Sequence, residues 1–494
     1  MKSTNIITTI ACLTLLLSSC NEYLDTMPDN RTVIDTPNKV KELLVSAYPD
    51  ASCIAFCEAM SDNAGDKTSS APLQTLENEQ SYYWKDVPSS LQDTPDNYWN
   101  ACYTAIAAAN HALEAIDNSD QPDEYEAYKG EALLARAYNH YMLVSLYADR
   151  YNPTTADRVL GIPYVTEPEK EVFVQYTRET LQDSYDLIKK DLEEGLPLID
   201  DNAYDVPKYH FTESAAYGFA SRFYLTIGRF AESAACANRV LGTHPATLIR
   251  DWVAYYELDY YDLRMLYTNS SESANILLGG AVSLLGRNGP AYRYGMTNDI
   301  RDELFNSTNV TGGTLLYKVF GRETTLNIPK YEEHFKLSSI NATTGLPFIM
   351  APLITMEEVL FNRAEALVMI GDLEGAVKDV NTFFSKRIKN YDTNLHLVTT
   401  SSFEEFYRYL NPDIDPWFET TKKQKIFLKG ILDIKRKEFV EEGIRWWDIK
   451  RYNMEVTRRD ESGKIIDVLR PNDLRRAIQI PSAAVAEGVE ANKR

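Results

Sequence analysis

Three times along the chain, a helix-spaced apolar stripe stops at a short break and then resumes. Between residues 214 and 227 the apolar positions are Ala216, Phe219, Ala220, Phe223, Tyr224 and Ile227, one face of an α-helix. Gly228-Arg229 interrupts that face, and residues 230–241 continue it as a second, alanine-rich helix. The pattern recurs as residues 356–370, the break Gly371-Asp372, and residues 373–387. Residues 98–116 followed by 124–147 make a third pair. Small residues at the crossing let two helices lie close, and glycine permits the backbone to reverse. Such a chain folds as stacked helical hairpins.

The hairpins resemble tetratricopeptide units, but the copies are degenerate and widely spaced, so a regular solenoid is not expected. Long stretches at 61–94, 246–294 and 395–418 read as irregular, rich in Gly, Pro and aromatic residues. Insertions of that length in a helical body are usually functional. The expected fold class is mainly α: one hairpin scaffold carrying long loops and short strands.

The first twenty residues read as an address. Lys2 is followed by an apolar run from Ile6 to Leu17, too short to span a bilayer, ending in Leu17-Ser18-Ser19-Cys20. This resembles a bacterial lipobox, which implies cleavage before Cys20 and acylation of its thiol; residues 1–19 are then a signal peptide. Lys and Arg number 51 against 72 Asp and Glu, a formal charge of −21, which disfavours nucleic acid as a partner. The deficit is uneven, for residues 421–494 hold 18 basic and 12 acidic side chains. The remaining cysteines, Cys53, Cys57, Cys102 and Cys236, are too few for a disulfide framework. Cys53 and Cys57, one helical turn apart, read as small buried thiols.

Catalytic signatures are missing: the sequence has no phosphate-binding glycine loop, no zinc-protease helix and no nucleophile elbow. The six histidines are scattered, without an i, i+4 pair. Asp62 and Asp66 offer at most a weak calcium signal, so no cofactor is expected. The acidic pairs Glu357-Glu358 and Glu441-Glu442 read as solvated helix faces. Aromatic residues carry more information, because a ring can stack on the C–H face of a sugar or anchor an interface. Candidate ligand contacts are Tyr82, Tyr83 and Trp84 in the first long loop, Arg287, Tyr292 and Tyr294 around a Gly-Pro turn, and Trp417 beside Pro416. A further cluster, Trp252, Tyr255, Tyr256, Tyr260 and Tyr261, has helical spacing that favours packing.

Residues 434–451 read Ile-Lys-Arg-Lys-Glu-Phe-Val-Glu-Glu-Gly-Ile-Arg-Trp-Trp-Asp-Ile-Lys-Arg. This stretch resembles the E-G-x-R-W-x-D signature of the SusD/RagB family. Trp99-x₃-Tyr103-x₂-Ile106-x₃-Asn110, Leu134-x-Arg136-Ala137-Tyr138, Gly161-Ile162-Pro163-Tyr164, Arg363-Ala364-Glu365-Ala366 and Ile478-Gln479-Ile480-Pro481 follow in the family's order. Thr355 departs from it, standing where the family commonly has arginine. The resemblance divides the chain at 1–19, 20–330 (the SusD-like N-terminal region) and 331–494 (the C-terminal region with the last hairpin). It implies a surface lipoprotein of the outer membrane, without catalysis, that captures oligo- or polysaccharide for a SusC-like TonB-dependent transporter. A peptide or other nutrient is the alternative cargo, and a lipoprotein glycoside hydrolase the alternative activity. The signature itself reads as structural, with Arg445 expected to pair with Asp448 or Glu442.

Overall fold

The structure, a computed structural model, describes residues 34–170, 175–337, 339, 341–411, 413–460 and 462–494. The signal segment and Cys20 lie outside the described residues. Threonine starts most of the long helices. Helices α1 (Pro37–Leu44), α2 (Ile54–Met60) and α3 (Leu76–Tyr82) precede α4 (Pro95–Asp117), whose N-cap Thr94 accepts a hydrogen bond from the Asn97 N–H. Threonine caps also open α6 (Leu181–Gly195) and α7 (Glu213–Thr226), which follow the long α5 (Glu126–Tyr147) and precede α8 (Phe230–Leu241). Each such cap satisfies an N–H that the helix leaves orphaned, worth about 1 kcal/mol.

The short α9 (Tyr260–Tyr267) comes next, then α10 (Met356–Ile370), α11 (Leu373–Phe384), α12 (Thr400–Tyr407), α13 (Lys422–Glu438) and α14 (Arg445–Arg451). Thr355 is the N-cap of α10 and accepts from the Glu358 N–H. Hairpins pair α4 with α5, α7 with α8, α10 with α11 and α12 with α13, and α8 also packs on α10. The predicted turns hold: Gly228 and Gly371 take φ of +75° and +92°. Two hairpin helices carry the same staple. Arg136 on α5 donates from Nε and Nη2 to Asp191 on α6, both at 2.7 Å. Arg363 on α10 donates to Asp379 on α11 at 2.8 and 2.6 Å. These bidentate pairs are buried, so they fix helix register as well as charge.

Strands enter the stretches read as irregular. β1 (Gly65–Asp66) pairs antiparallel with β3 (Tyr294–Gly295). A three-stranded antiparallel sheet runs β2 (Asn275–Val282), β5 (Gly345–Thr355), β4 (His334–Leu337). Its register, Gly279 opposite Ala351, joins the chain on either side of residue 330, and one hydrophobic core runs through both regions. A hairpin of β6 (Val456–Arg459) and β7 (Ile465–Leu469) follows α14.

The basic C-terminal stretch turns its charge inward. Lys435 donates to Glu365 and Asp448, both at 2.8 Å, and Lys450 donates to the carbonyls of Ser145, Leu146 and Ala148 at the C-terminus of α5. Arg445 pairs with neither Asp448 nor Glu442. Its guanidinium holds Asp62 through two bonds of 2.8 Å, tying α14 to the loop after α2. The acidic pairs are not solvated faces either. Glu357 is 0% exposed and meets Arg250 and Arg387, Glu358 meets Arg222, and Glu442 accepts from Lys330 at 2.6 Å. A buried carboxylate persists when a cation faces it, and here the cations come from distant segments that local spacing cannot reveal.

Candidate functional site

The first long loop is organised by one cation. Arg458 on β6 is 1% exposed and lies between the Tyr82 ring, 3.9 Å from its centroid, and the Trp84 ring at 4.4 Å. Its guanidinium donates to five carbonyls, those of Ala59, Met60, Ser61, Ala64 and Tyr82, at 2.8 to 3.1 Å. Several of these end α2, where carbonyls lack helical partners and the dipole favours a cation. Trp84 donates its Nε1–H to the Met60 carbonyl at 2.9 Å and is 2% exposed. It shows ligand no face; it is a wall of the Arg458 cage.

The Gly-Pro turn is stitched to this loop. Asn78 donates to the Tyr294 carbonyl at 3.1 Å and accepts from the Tyr294 N–H at 2.9 Å. Arg293 donates from its N–H to the Leu73 carbonyl, and Leu73 returns one to Ala291. Tyr82 and Tyr294 stack at 4.2 Å, both buried, while half-buried Tyr83 stands edge-on to them at 4.9 and 5.7 Å. The two loops, read separately in the sequence, meet, and Tyr83 and Tyr292 keep the half-buried rings, over buried partners. Trp417 is elsewhere. Its indole packs over the Gly228 turn and edge-on to Tyr151 at 5.8 Å, a hairpin contact remote from the other candidates.

A cavity of about 60 Å³ opens behind Tyr292, lined by Ile54, Glu58, Tyr260, Arg264, Tyr294 and Glu441 among others. Its far rim is the cluster expected to pack. Trp252 and Tyr255 are buried, whereas Tyr256 is 39% and Tyr261 67% exposed. Arg264 lies over the rings of Tyr260 and Tyr261, and Lys318 over those of Tyr256 and Phe320. The Tyr260 and Phe320 rings meet edge-on at 5.3 Å. Two short helices break the single face assumed from spacing, so half the cluster turns outward. Arg264, Lys318 and Phe320 went unnoticed in the sequence because nothing local marks them. A larger cavity of about 120 Å³ lies around Tyr138, Arg222 and Glu358; Arg222 pairs there with Glu358 and Lys435 with Asp448, and it holds none of the loop candidates.

Ion pairs set the electrostatics of the cleft. Arg293 holds Asp66 through two 2.8 Å bonds, Arg287 holds Glu333 at 2.7 Å, and Arg264 pairs with Glu332. Asp62 and Asp66, the weak calcium signal, are thus each taken by arginine, and no cluster of three metal-binding groups occurs among the described residues. Burial pushes Glu58 up to about 7 against donation from the Glu441 and Gly443 N–H groups, and Glu441 likewise to about 7.

The family model described as "Starch-binding associating with outer membrane", SusD-like, matches residues 22–225. No curated protein matches the chain. Among solved structures, a SusD superfamily protein from Bacteroides thetaiotaomicron is similar at 17% identity and a TM-score of 0.65, covering 93% of this chain and 100% of that one. A SusD-like carbohydrate-binding protein from Bacteroides vulgatus gives 15% and 0.64, covering 92% and 96%. A SusD superfamily protein from Bacteroides fragilis gives 17% and 0.66, covering 92% and 99%. Residues 22–225 thus match the SusD-like family model, and over nearly its whole length the chain shares the fold of SusD superfamily structures.

Proposed function

We propose that this chain is a non-enzymatic, lipid-anchored glycan-binding protein of the outer-membrane surface that passes its cargo to a SusC-like TonB-dependent transporter. The observation that carries the reading is the cleft: Tyr292 and Tyr260 line a cavity together with Arg264, which is ion-paired to Glu332, while half-buried Tyr83 packs on the lining residue Tyr294 and exposed Tyr261 on Tyr260. Rings stack on sugar faces, while fixed donors and acceptors select hydroxyls. The lipobox-like Leu17-Ser18-Ser19-Cys20 supports the anchor. Among the described residues no helix is long and apolar enough to cross a membrane, so acyl chains on Cys20 would hold the protein there.

Affinity electrophoresis against a polysaccharide panel tests the reading. Retardation by at least one glycan, lost in Tyr83→Ala or Tyr261→Ala, is expected; uniform non-retention refutes capture. Co-purification of an outer-membrane transporter from the native host tests the partner.

A hydrolase has one pair to recommend it, Glu58 and Glu441, which share the cavity with both carboxyls near 7. Both oxygens of Glu58 are committed to backbone N–H groups, and Glu441 accepts from the Ile328 N–H at 2.8 Å. These carboxyls hold the 439–443 turn. Reducing-sugar release abolished by Glu441→Gln would revive the enzyme.

A further inference from the structure

We infer that the helical scaffold holds a second binding site, for a small uncharged phenol, in the cavity of about 120 Å³ around Tyr138. This site is distinct from the loop cleft and does not rest on the glycan reading. Four tyrosine rings form its walls: Tyr98 on α4, Tyr138 and Tyr141 on α5, and Tyr185 on α6, each 3% exposed or less. Trp447 on α14 closes another side, and its Nε1–H donates to Ser145 Oγ at 2.8 Å, which fixes the ring. Packed interiors leave few voids larger than a water molecule. Here Arg222 keeps the space from collapsing. It donates to Glu358 at 2.6 Å and to the Leu353 carbonyl at 2.7 Å, and so sets the spacing of α7 against α10 and the end of β5. The lining reaches the surface at exposed Asp149 and half-buried Tyr151, which gives a ligand its way in.

The walls choose the ligand. Aromatic rings attract one another edge to face beyond the area they bury, so a wall of tyrosines favours a flat ring over an aliphatic one. Size agrees, since an apolar cavity of about 150 Å³ holds benzene. Two polar atoms at the cavity are unmet among the described residues. Asn362, 3% exposed, donates from Nδ2 to Ser221 Oγ at 3.1 Å, but its Oδ1 accepts no hydrogen bond. The Tyr185 hydroxyl has no partner either, whereas that of Tyr141 meets Thr226 at 3.0 Å. A ring bearing one hydroxyl supplies what these atoms lack: an O–H to donate and an oxygen to accept. A hexose would bring five hydroxyls against walls that are mostly ring carbon, and each left unpaired costs desolvation.

Calorimetric titration of the purified chain with phenol is the test. Saturable one-to-one binding is expected, about tenfold tighter than that of cyclohexanol and undisturbed by equimolar glucose. Leu353→Trp fills the cavity from a half-buried lining position and should abolish the binding. Tyr185→Phe keeps the volume and removes only the hydroxyl, so phenol should weaken about fivefold while toluene binds as before. Far-ultraviolet circular dichroism and urea unfolding check that both variants fold; where Leu353→Trp does not, Tyr185→Phe decides. Absence of saturable phenol binding overturns the site. Undiminished phenol affinity in the folded variants places the ligand elsewhere and also overturns it. Cyclohexanol binding as tightly as phenol, or displacement of phenol by glucose, overturns the ligand class.

Discussion

Replacing Arg458 tests how the loop aromatics are held. In Arg458→Met the side chain keeps similar length but loses the charge and every donor. Of the five carbonyls it serves, Met60 still accepts from Trp84 Nε1, while the other four lose the guanidinium. A buried acceptor left without a partner costs about 1–3 kcal/mol, and two lost cation–π contacts add about 1 kcal/mol each. Against this stands relief from burying a charge that has no carboxylate beside it, several kcal/mol in the other direction. Desolvation is felt in the group itself, whose pKa burial pushes down to about 10. The balance is a loss of about 3–5 kcal/mol, a large share of the 5–15 kcal/mol typical of a folded domain. Arg458→Lys keeps the charge but offers three donors without the planar fork, so a loss of about 2–4 kcal/mol is expected. Urea unfolding gives the stability, and affinity electrophoresis tells whether Tyr83 still presents its ring. A Met variant within 1 kcal/mol of the parent chain, with unchanged retardation, would refute the view that this cation builds the site.

Other expectations separate packing from binding. Tyr261→Ala should leave stability within about 0.5 kcal/mol while weakening glycan retention tenfold, because the side chain is mostly exposed; Trp84→Ala should cost about 3 kcal/mol through a buried cavity. Gly228→Ala should cost more than Gly371→Ala. Both demand positive φ, worth about 1 kcal/mol, but a Cβ at Gly228 would also meet the Trp417 ring at 2.5 Å, whereas at Gly371 it meets nothing within 4 Å. Stability should also fall as pH rises. Glu58 and Glu441 have folded pKa values near 7 against an ordinary 4.5, so their contribution is complete below about 4.5 and is lost as pH climbs through 7. Glu441→Gln should flatten that decline between pH 5 and 8, measured by urea unfolding across the range.

The hairpins were legible because their signals are local: apolar spacing, a glycine break and a capping threonine lie within a few residues of the structure they specify. Gly228 and Gly371 mark their turns in the sequence as plainly as in the fold. The charged interior was not legible. Asp62 and Arg445 are 383 positions apart, Glu58 and Gly443 are 385, and no spacing rule links such pairs. The same blindness explains why Glu357-Glu358 read as surface and why the basic C-terminal stretch gave no hint of its partners. For the site, both aromatic groups stood out in the sequence, but nothing local showed that the Tyr82-Trp84 loop meets the Tyr292-Tyr294 turn, and which ring faces water depended on Arg458 and Asn78 beneath them. Trp417 lies in a loop, as its place beside proline suggests, but its ring packs on a turn some 190 residues away, a contact that no local spacing announces.

Calorimetric titration of the purified chain, with each glycan that retards it in gels, tests the central claim most directly. Saturable binding of an oligosaccharide is expected, weakened at least tenfold by Tyr83→Ala and by Tyr261→Ala with folding unchanged. Binding of undiminished affinity in both variants would place the ligand elsewhere and contradict it.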